Sequence, residues 1–198
     1  MAVLKYLPVH CFPGAAWLSA AMENDVVLDA HEYYEKQTPR NRFIILGVNG
    51  PQILTVPVEG QKGRKVMTCD IRIAHHDWRK MHLTSIRSAY GRAAYFEYYF
   101  DELSAIFLNR QTFLLDFNQE VLEWLRSKKL PITTAITSAH IPYTQKEFAT
   151  LPQPAQPPSY LQVFSDRYPF VSGLSAIDLI MNLGPRVADH VLLWKNGK

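Results

Sequence analysis

Only two cysteines occur in 198 residues, Cys11 and Cys69. They are too few for a disulfide framework and lack metal-ligand spacing, so reduced thiols in a cytosolic protein are expected. No apolar run approaches the roughly 20 residues that a membrane-spanning helix needs. The stretch from Tyr6 to Met22 has no Asp, Glu, Lys or Arg and contains Ser19-Ala20-Ala21, as a secretion signal does. Pro8, His10 and Pro13-Gly14 interrupt the apolar core such a signal requires, which argues against it. A glycine-rich dinucleotide fingerprint, an internal repeat and a recognised nucleic-acid motif are all lacking. Charged residues make up 20% and apolar residues 47% of the chain, which excludes intrinsic disorder and fits a globular protein. The length can bury a sizeable core, and one domain over 1–198 is expected, with a basic α/β half to about residue 92 and a helix-rich half after it.

Charge is unevenly spread. Residues 1–35 carry −4, residues 36–92 carry +8 and residues 93–198 carry −1, giving the overall +3. A local cationic field of this kind concentrates phosphates and other anions, although a solvated charged face produces the same pattern.

The hydrophobic pattern predicts an α/β fold: a mixed sheet with a βαβ-type N-terminal start, a β-hairpin and a helical second half. Ala2 to Val9 reads as a strand, Pro13 to Met22 as a helix and Asp25 to Asp29 as a buried strand. If the strands are adjacent and parallel, the turn after the first opens towards a ligand crevice. Arg42 to Leu46 and Gln52 to Val58 flank Asn49-Gly50, a strong hairpin signal. Lys62 to Lys65 reads as a basic loop, and Val66 to Ile73 alternates like a strand. Helices are expected from Asp77 to Tyr90, Tyr95 to Leu108 and Thr112 to Lys129. A strand follows at Ile132 to Thr137, then a proline-rich connector at 151–158 and helices near 174–183 and 186–194.

The segment from Lys36 to Arg42 is the most informative. Pro39 keeps it irregular just before a strand, and Lys36, Arg40 and Arg42 with Asn41 supply cations and an amide suited to clamping an anion. The competing reading is a solvated loop whose arginines pair with Glu32 and Glu35. His10 sits where the first strand ends, a place where ligands meet helix N-termini, and its pKa range suits it to general acid or base work. A structural histidine is the equal alternative. His82 and Ser85 share roughly one helical face beyond Trp78, so His82 is a second candidate for proton transfer; a serine nucleophile would also need a facing base. His75, His76 and His82 match no zinc spacing, and neither a metal nor a cofactor is expected. Tyr90 and Tyr95 belong to an aromatic cluster suited to core or ligand stacking. Ser175 and Asp178 fit a capping-box-like helix start.

Several ordered blocks of sequence resemble the WbqC-like family: Glu32 to Arg42, with its Lys-Gln-Thr-x-Arg-Asn-Arg run, Ile53 to Val58, the Trp-x-x-x-His-x-x-Ser-Ile segment at 78–86, Tyr95 to Tyr99, Gln162 to Phe164 and Leu174 to Pro185. The resemblance covers nearly the whole chain. It implies an association with O-antigen and other bacterial surface-polysaccharide biosynthesis, through attachment of a small acyl or aminoacyl group to an amino sugar.

The expected function is therefore a small-molecule transferase with a phosphate-bearing substrate. Lys36, Arg40 and Arg42 hold the anion, Asn41 orients it, His82 or His10 handles a proton, and Trp78, Ser85, Tyr90 or Tyr95 line the pocket. The alternative is an accessory protein that binds an anionic metabolite without turnover. Neither a membrane nor a nucleic acid is the expected partner, and the sequence leaves the oligomeric state open.

Overall fold

The computed structural model describes residues 5–22, 26–61, 63–75 and 77–196. The ends of the two first expected strands (Ala2 to Leu4 and Asp25), Lys62 of the basic loop and His76 lie outside them.

The chain opens with β1 (Lys5–Pro8), α1 (Ala15–Ala21) and β2 (Val26–Asp29), and the two strands pair in parallel with Tyr6 opposite Val27 and Leu7 opposite Leu28. All four residues of β2 are buried, as expected for an unbroken apolar run inside a parallel sheet. The later strands β5 (Thr134–Ile136) and β6 (Glu147–Phe148) add in parallel to β2 and β1 respectively, giving the order β5-β2-β1-β6. β6 pairs only with Lys5 and Tyr6 and stops short of Pro8, which has no N–H to give. Asp29, buried at the end of β2, is ion-paired with Lys146 just before β6.

β3 (Arg42–Gly47) and β4 (Gly50–Thr55) form the antiparallel hairpin. Its loop is Val48-Asn49, one residue earlier than the sequence suggests, because Gly50 (φ 100) already pairs with Gly47. The Val66–Ile73 segment is not a continuous strand. A 3-10 turn occupies Thr68–Asp70, and its backbone bonds are spread over several elements: Thr68 donates to Glu32 O, Cys69 to Ala30 O and Ile73 to Thr112 O. The inward Ile71 and Ile73 give the alternation, but among the described residues no single partner strand runs alongside.

The helices α2 (Trp78–Tyr90), α3 (Phe96–Leu108) and α4 (Leu114–Ser127) each bury one stripe: Trp78, His82, Ile86 and Ala89; Phe96, Phe100, Leu103 and Phe107; Leu114, Phe117, Val121 and Leu125. These residues recur at spacings of three and four, the helical repeat. α5 (Ala176–Leu183) buries every residue except Asn182, and α6 (Val187–Asn196) packs against α1. Gly184 lies between them at φ 55, and a Cβ there would meet the Tyr95 ring at 2.5 Å, so only glycine permits this approach.

Candidate anion-binding site

The turn from His10 to Gly14 leaves the C-terminal end of β1, and two long-range backbone bonds and a β-bridge fix it. Cys11 N–H donates to Pro39 O at 2.8 Å, Ala176 N–H donates to Pro13 O at 2.8 Å, and Gly14 forms an isolated bridge with Ser175. The turn thus joins the basic segment to the start of α5. A Cβ on Gly14 would lie 2.8 Å from Leu174 O, so the two backbones meet only because no side chain intervenes.

Phe12 adopts a left-handed backbone (φ 47), unusual for a bulky residue and costing on the order of 1–3 kcal/mol. Burial of its ring compensates: it lies 4.9 Å from the Phe43 ring and 5.6 Å from that of Phe107. With Phe12 anchored, the polypeptide reverses sharply and His10 stacks on Trp17 at 5.7 Å, whose indole Nε1 donates to Pro8 O at 3.0 Å.

His10 and Arg42 line one cleft of about 230 Å³, together with Trp17, Pro39, Gly173 and Ser175. The cleft is largely apolar, with few polar groups. Burial, and secondarily the positive charge of Arg40, push the His10 imidazole down to about 3, so it is neutral near pH 7. Arg42 forms no ion pair with a described residue, and its buried Nε has no hydrogen-bond partner. Ser175 Oγ is also buried and unpartnered. Tyr34, near both Arg40 and Arg42, has an unpartnered hydroxyl pushed up to about 12 by burial against the pull of the two arginines. Buried polar groups without partners are uncommon, and an arginine without a counterion favours an incoming carboxylate or phosphate.

The structure separates the four clamp candidates. Arg40 is buried; its Nε donates to Glu32 Oε1 at 2.6 Å and its Nη1 to Thr38 Oγ1 at 3.1 Å, with Glu35 Oε2 at 3.6 Å. Asn41 is buried, and its Nδ2 donates to Val56 O at 2.9 Å across the start of the hairpin. Lys36 is exposed and does not line the cleft, leaving Arg42 as the one clamp cation that does.

The remaining candidates lie elsewhere. His82 packs among Phe43, Trp78 and Phe107 with ring centroids 5.1 to 6.1 Å away. Burial pushes it down to about 4, its Nδ1 has no partner, and it lines neither the His10 cleft nor the two larger ones. Trp78 is part of the same aromatic core. Tyr90 is buried and its hydroxyl accepts from Leu46 N–H at 3.1 Å, and Tyr95 packs against Gly184. Ser85 lines a separate cleft between the hairpin turn and α2 whose described lining has no titratable side chain, so no base faces its hydroxyl there. Ser175 is the N-cap of α5, but its side chain makes no capping bond, and Asp178 instead accepts from Tyr160 at 2.5 Å and Gln162 at 3.2 Å.

Ser175 and Trp17 are the cleft residues sequence reasoning missed as such. Only Ser175 carried a local signal, an apparent N-cap, and the signal pointed to a different role. Among the described residues, no group of three or more His, Cys, Asp or Glu could hold a metal ion, and no helix is long and apolar enough to cross a membrane.

Residues 10–151 match the model of the WbqC-like protein family. The matched region begins at His10 and includes the basic segment, the hairpin and α2 to α4, whereas Ser175 lies beyond it. No curated protein and no solved structure matches the chain.

Proposed function

Because the chain belongs to the WbqC-like protein family, we propose that it is a small-molecule transferase that moves an acyl or aminoacyl group from an activated, phosphate-bearing donor to the amine of an amino sugar or related acceptor. The observation that carries this reading is the convergence of a neutral imidazole, His10, and a guanidinium without a counterion, Arg42, on one cleft beyond the C-terminal end of a parallel strand. Such crevices are the usual ligand sites of open parallel sheets. Arg42 holds the donor's anionic group, and His10 takes the proton from the attacking amine. The amine nitrogen bonds to the acyl carbon, and the bond from that carbon to the donor's sulfur or oxygen breaks with its electron pair leaving on the donor.

An imidazole with a pKa near 3 is a weak base in the empty protein. A bound anion offsets the arginine field, the second cause of the depression, and raises the proton affinity of His10 when substrate is present. Positioning and proton removal then suffice without a covalent enzyme intermediate. A cytosolic setting belongs to the same reading, supported by the free thiols of Cys11 and Cys69, as does the link to surface-polysaccharide assembly implied by the family.

The small volume of the cleft favours a second reading, an accessory protein that holds one anionic metabolite without turnover. A thermal-shift screen of nucleotides, nucleotide sugars and acyl thioesters finds the ligand, since native-state binding raises stability by mass action. Turnover of a hit with an amino-sugar acceptor, lost in His10→Gln while donor binding persists, supports the transferase. Binding without turnover supports the accessory role, and binding that survives Arg42→Gln refutes both.

A further inference from the structure

Away from the His10 cleft, the start of α2 and the loop joining α3 to α4 enclose an open cleft of about 640 Å³. Its charged lining comprises Arg79, Lys80 and Arg110 against the single carboxylate of Asp77, with His75 alongside. None of the three cations is ion-paired with a described residue. Arg79 is held in place: its guanidinium lies over the Trp78 ring at 4.5 Å and its Nη2 donates to Gln111 O at 3.3 Å, while its buried Nε has no partner. Burial, and then the charge of Arg110, lower the pKa of Arg79 below the usual arginine value. Two like charges beside one cleft without a counterion destabilise the empty protein, and an anion between them removes that penalty. Gln111 adds a complementary group. Its Nε2 is committed to Ile106 O and the Glu120 carboxylate, which leaves a buried Oε1 with no donor.

We propose that this cleft is a second anion site, which takes the phosphate of a small phosphorylated metabolite at Arg79 and Arg110 while Gln111 Oε1 accepts from a hydroxyl of the same molecule. The volume falls in the range of small-molecule pockets, and the cations line a concavity rather than a stripe along the surface, which favours a metabolite over a nucleic-acid backbone. The site shares no lining residue with the His10 cleft and stands independently of the transferase reading.

Titration calorimetry at about 0.15 M salt, where exposed charges are screened beyond about 8 Å, tests the site with glycerol phosphate and inorganic phosphate as probes. Glycerol phosphate is expected to bind more tightly than inorganic phosphate because it alone offers alcohol hydroxyls beyond the phosphate, within reach of Gln111 while the phosphate rests on the arginines. Arg110→Gln weakens it by about tenfold to a hundredfold, the loss of one charge-assisted contact, and the component of binding lost there is still present in Arg42→Gln, which removes only the cation of the His10 cleft. Arg110 is exposed, so its replacement spares the core. The empty variant, relieved of a like charge, melts no lower than the wild type. Arg79→Gln, checked for folding by a denaturant melt, gives the same loss of binding. Absence of binding by either probe, equal affinity in wild type and Arg110→Gln, or loss in Arg42→Gln instead overturns the proposal. Tighter binding of a short single-stranded RNA that depends on the same arginines overturns it in favour of a nucleic-acid surface.

Discussion

Replacing Arg40 and Arg42 separately with Gln distinguishes scaffold from site within three residues of chain. Arg40 and Glu32 retain only 10% and 15% side-chain exposure, and their contact at 2.6 Å is joined by Thr38 at 3.1 Å. Removing one partner of a fully buried pair costs about 3–5 kcal/mol, because the other charge is left without water or counterion. The residual exposure here, and the solvent-facing position of Glu35, reduce this to roughly 2–3 kcal/mol. For a chain of this length that loss lowers the melting temperature by about 4 to 12 °C. Arg42 has no ion pair to lose among the described residues, so Arg42→Gln should not lower stability. It should weaken binding of a phosphate-bearing ligand by about tenfold to a hundredfold. Urea melts give the stabilities and titration calorimetry the affinities. Equal destabilisation by the two substitutions, or retained ligand affinity in Arg42→Gln, refutes the division of roles.

Two further outcomes follow from buried titratable groups. His10 and His82, at about 3 and 4, both lie below the usual 6.5, so the unfolded chain binds protons that the folded chain refuses and stability falls as pH falls from about 6.5 towards 3–4; at pH 5 each costs about 2 kcal/mol. Denaturant melts across this range should show His82→Leu removing about 2 kcal/mol of the loss at pH 5, and an unchanged acid profile in that variant would place His82 outside the apolar core. Lys146→Met leaves the fully buried Asp29 carboxylate without its counter-charge and should cost about 3–5 kcal/mol near neutral pH, a figure a urea melt contradicts if the midpoint does not move.

The parts of the fold legible in the sequence are those whose burial repeats locally. Val26-Val27-Leu28 is apolar on both faces because it lies inside a parallel sheet, and α2 to α4 advertise their stripes at spacings of three and four. β6 was illegible: two residues pairing with Lys5 and Tyr6 leave no periodic trace. Val66 to Ile73 misled for the opposite reason, since its inward residues alternate while its backbone partners are scattered over several segments. At the site, the same stripe that identifies α2 already places His82 in register with Trp78 and Ile86, four residues to either side, so its burial could have been read from spacing. The lack of a described partner for Arg42 could not. Whether a guanidinium has a partner depends on where Glu32, Tyr34 and Ser175 come to rest, and no spacing encodes that.

The charge pattern acquires a different meaning once partners are known. Residues 1–35 supply Glu32 and Glu35, and both carboxylates face Arg40. Part of the −4 segment therefore neutralises the +8 segment beside it, and the field that reaches a ligand is smaller than the sequence sum. Arg40 nevertheless acts at a distance, since its charge helps to hold His10 unprotonated. Arg42, Arg79 and Arg110 are the arginines of the basic half and its border that meet a cleft without a carboxylate partner among the described residues. Leaving such cations uncompensated destabilises the empty fold, and the stability lost there becomes affinity for whichever anion restores the balance. Arginine count locates the basic half of this chain, whereas arginine pairing locates its sites.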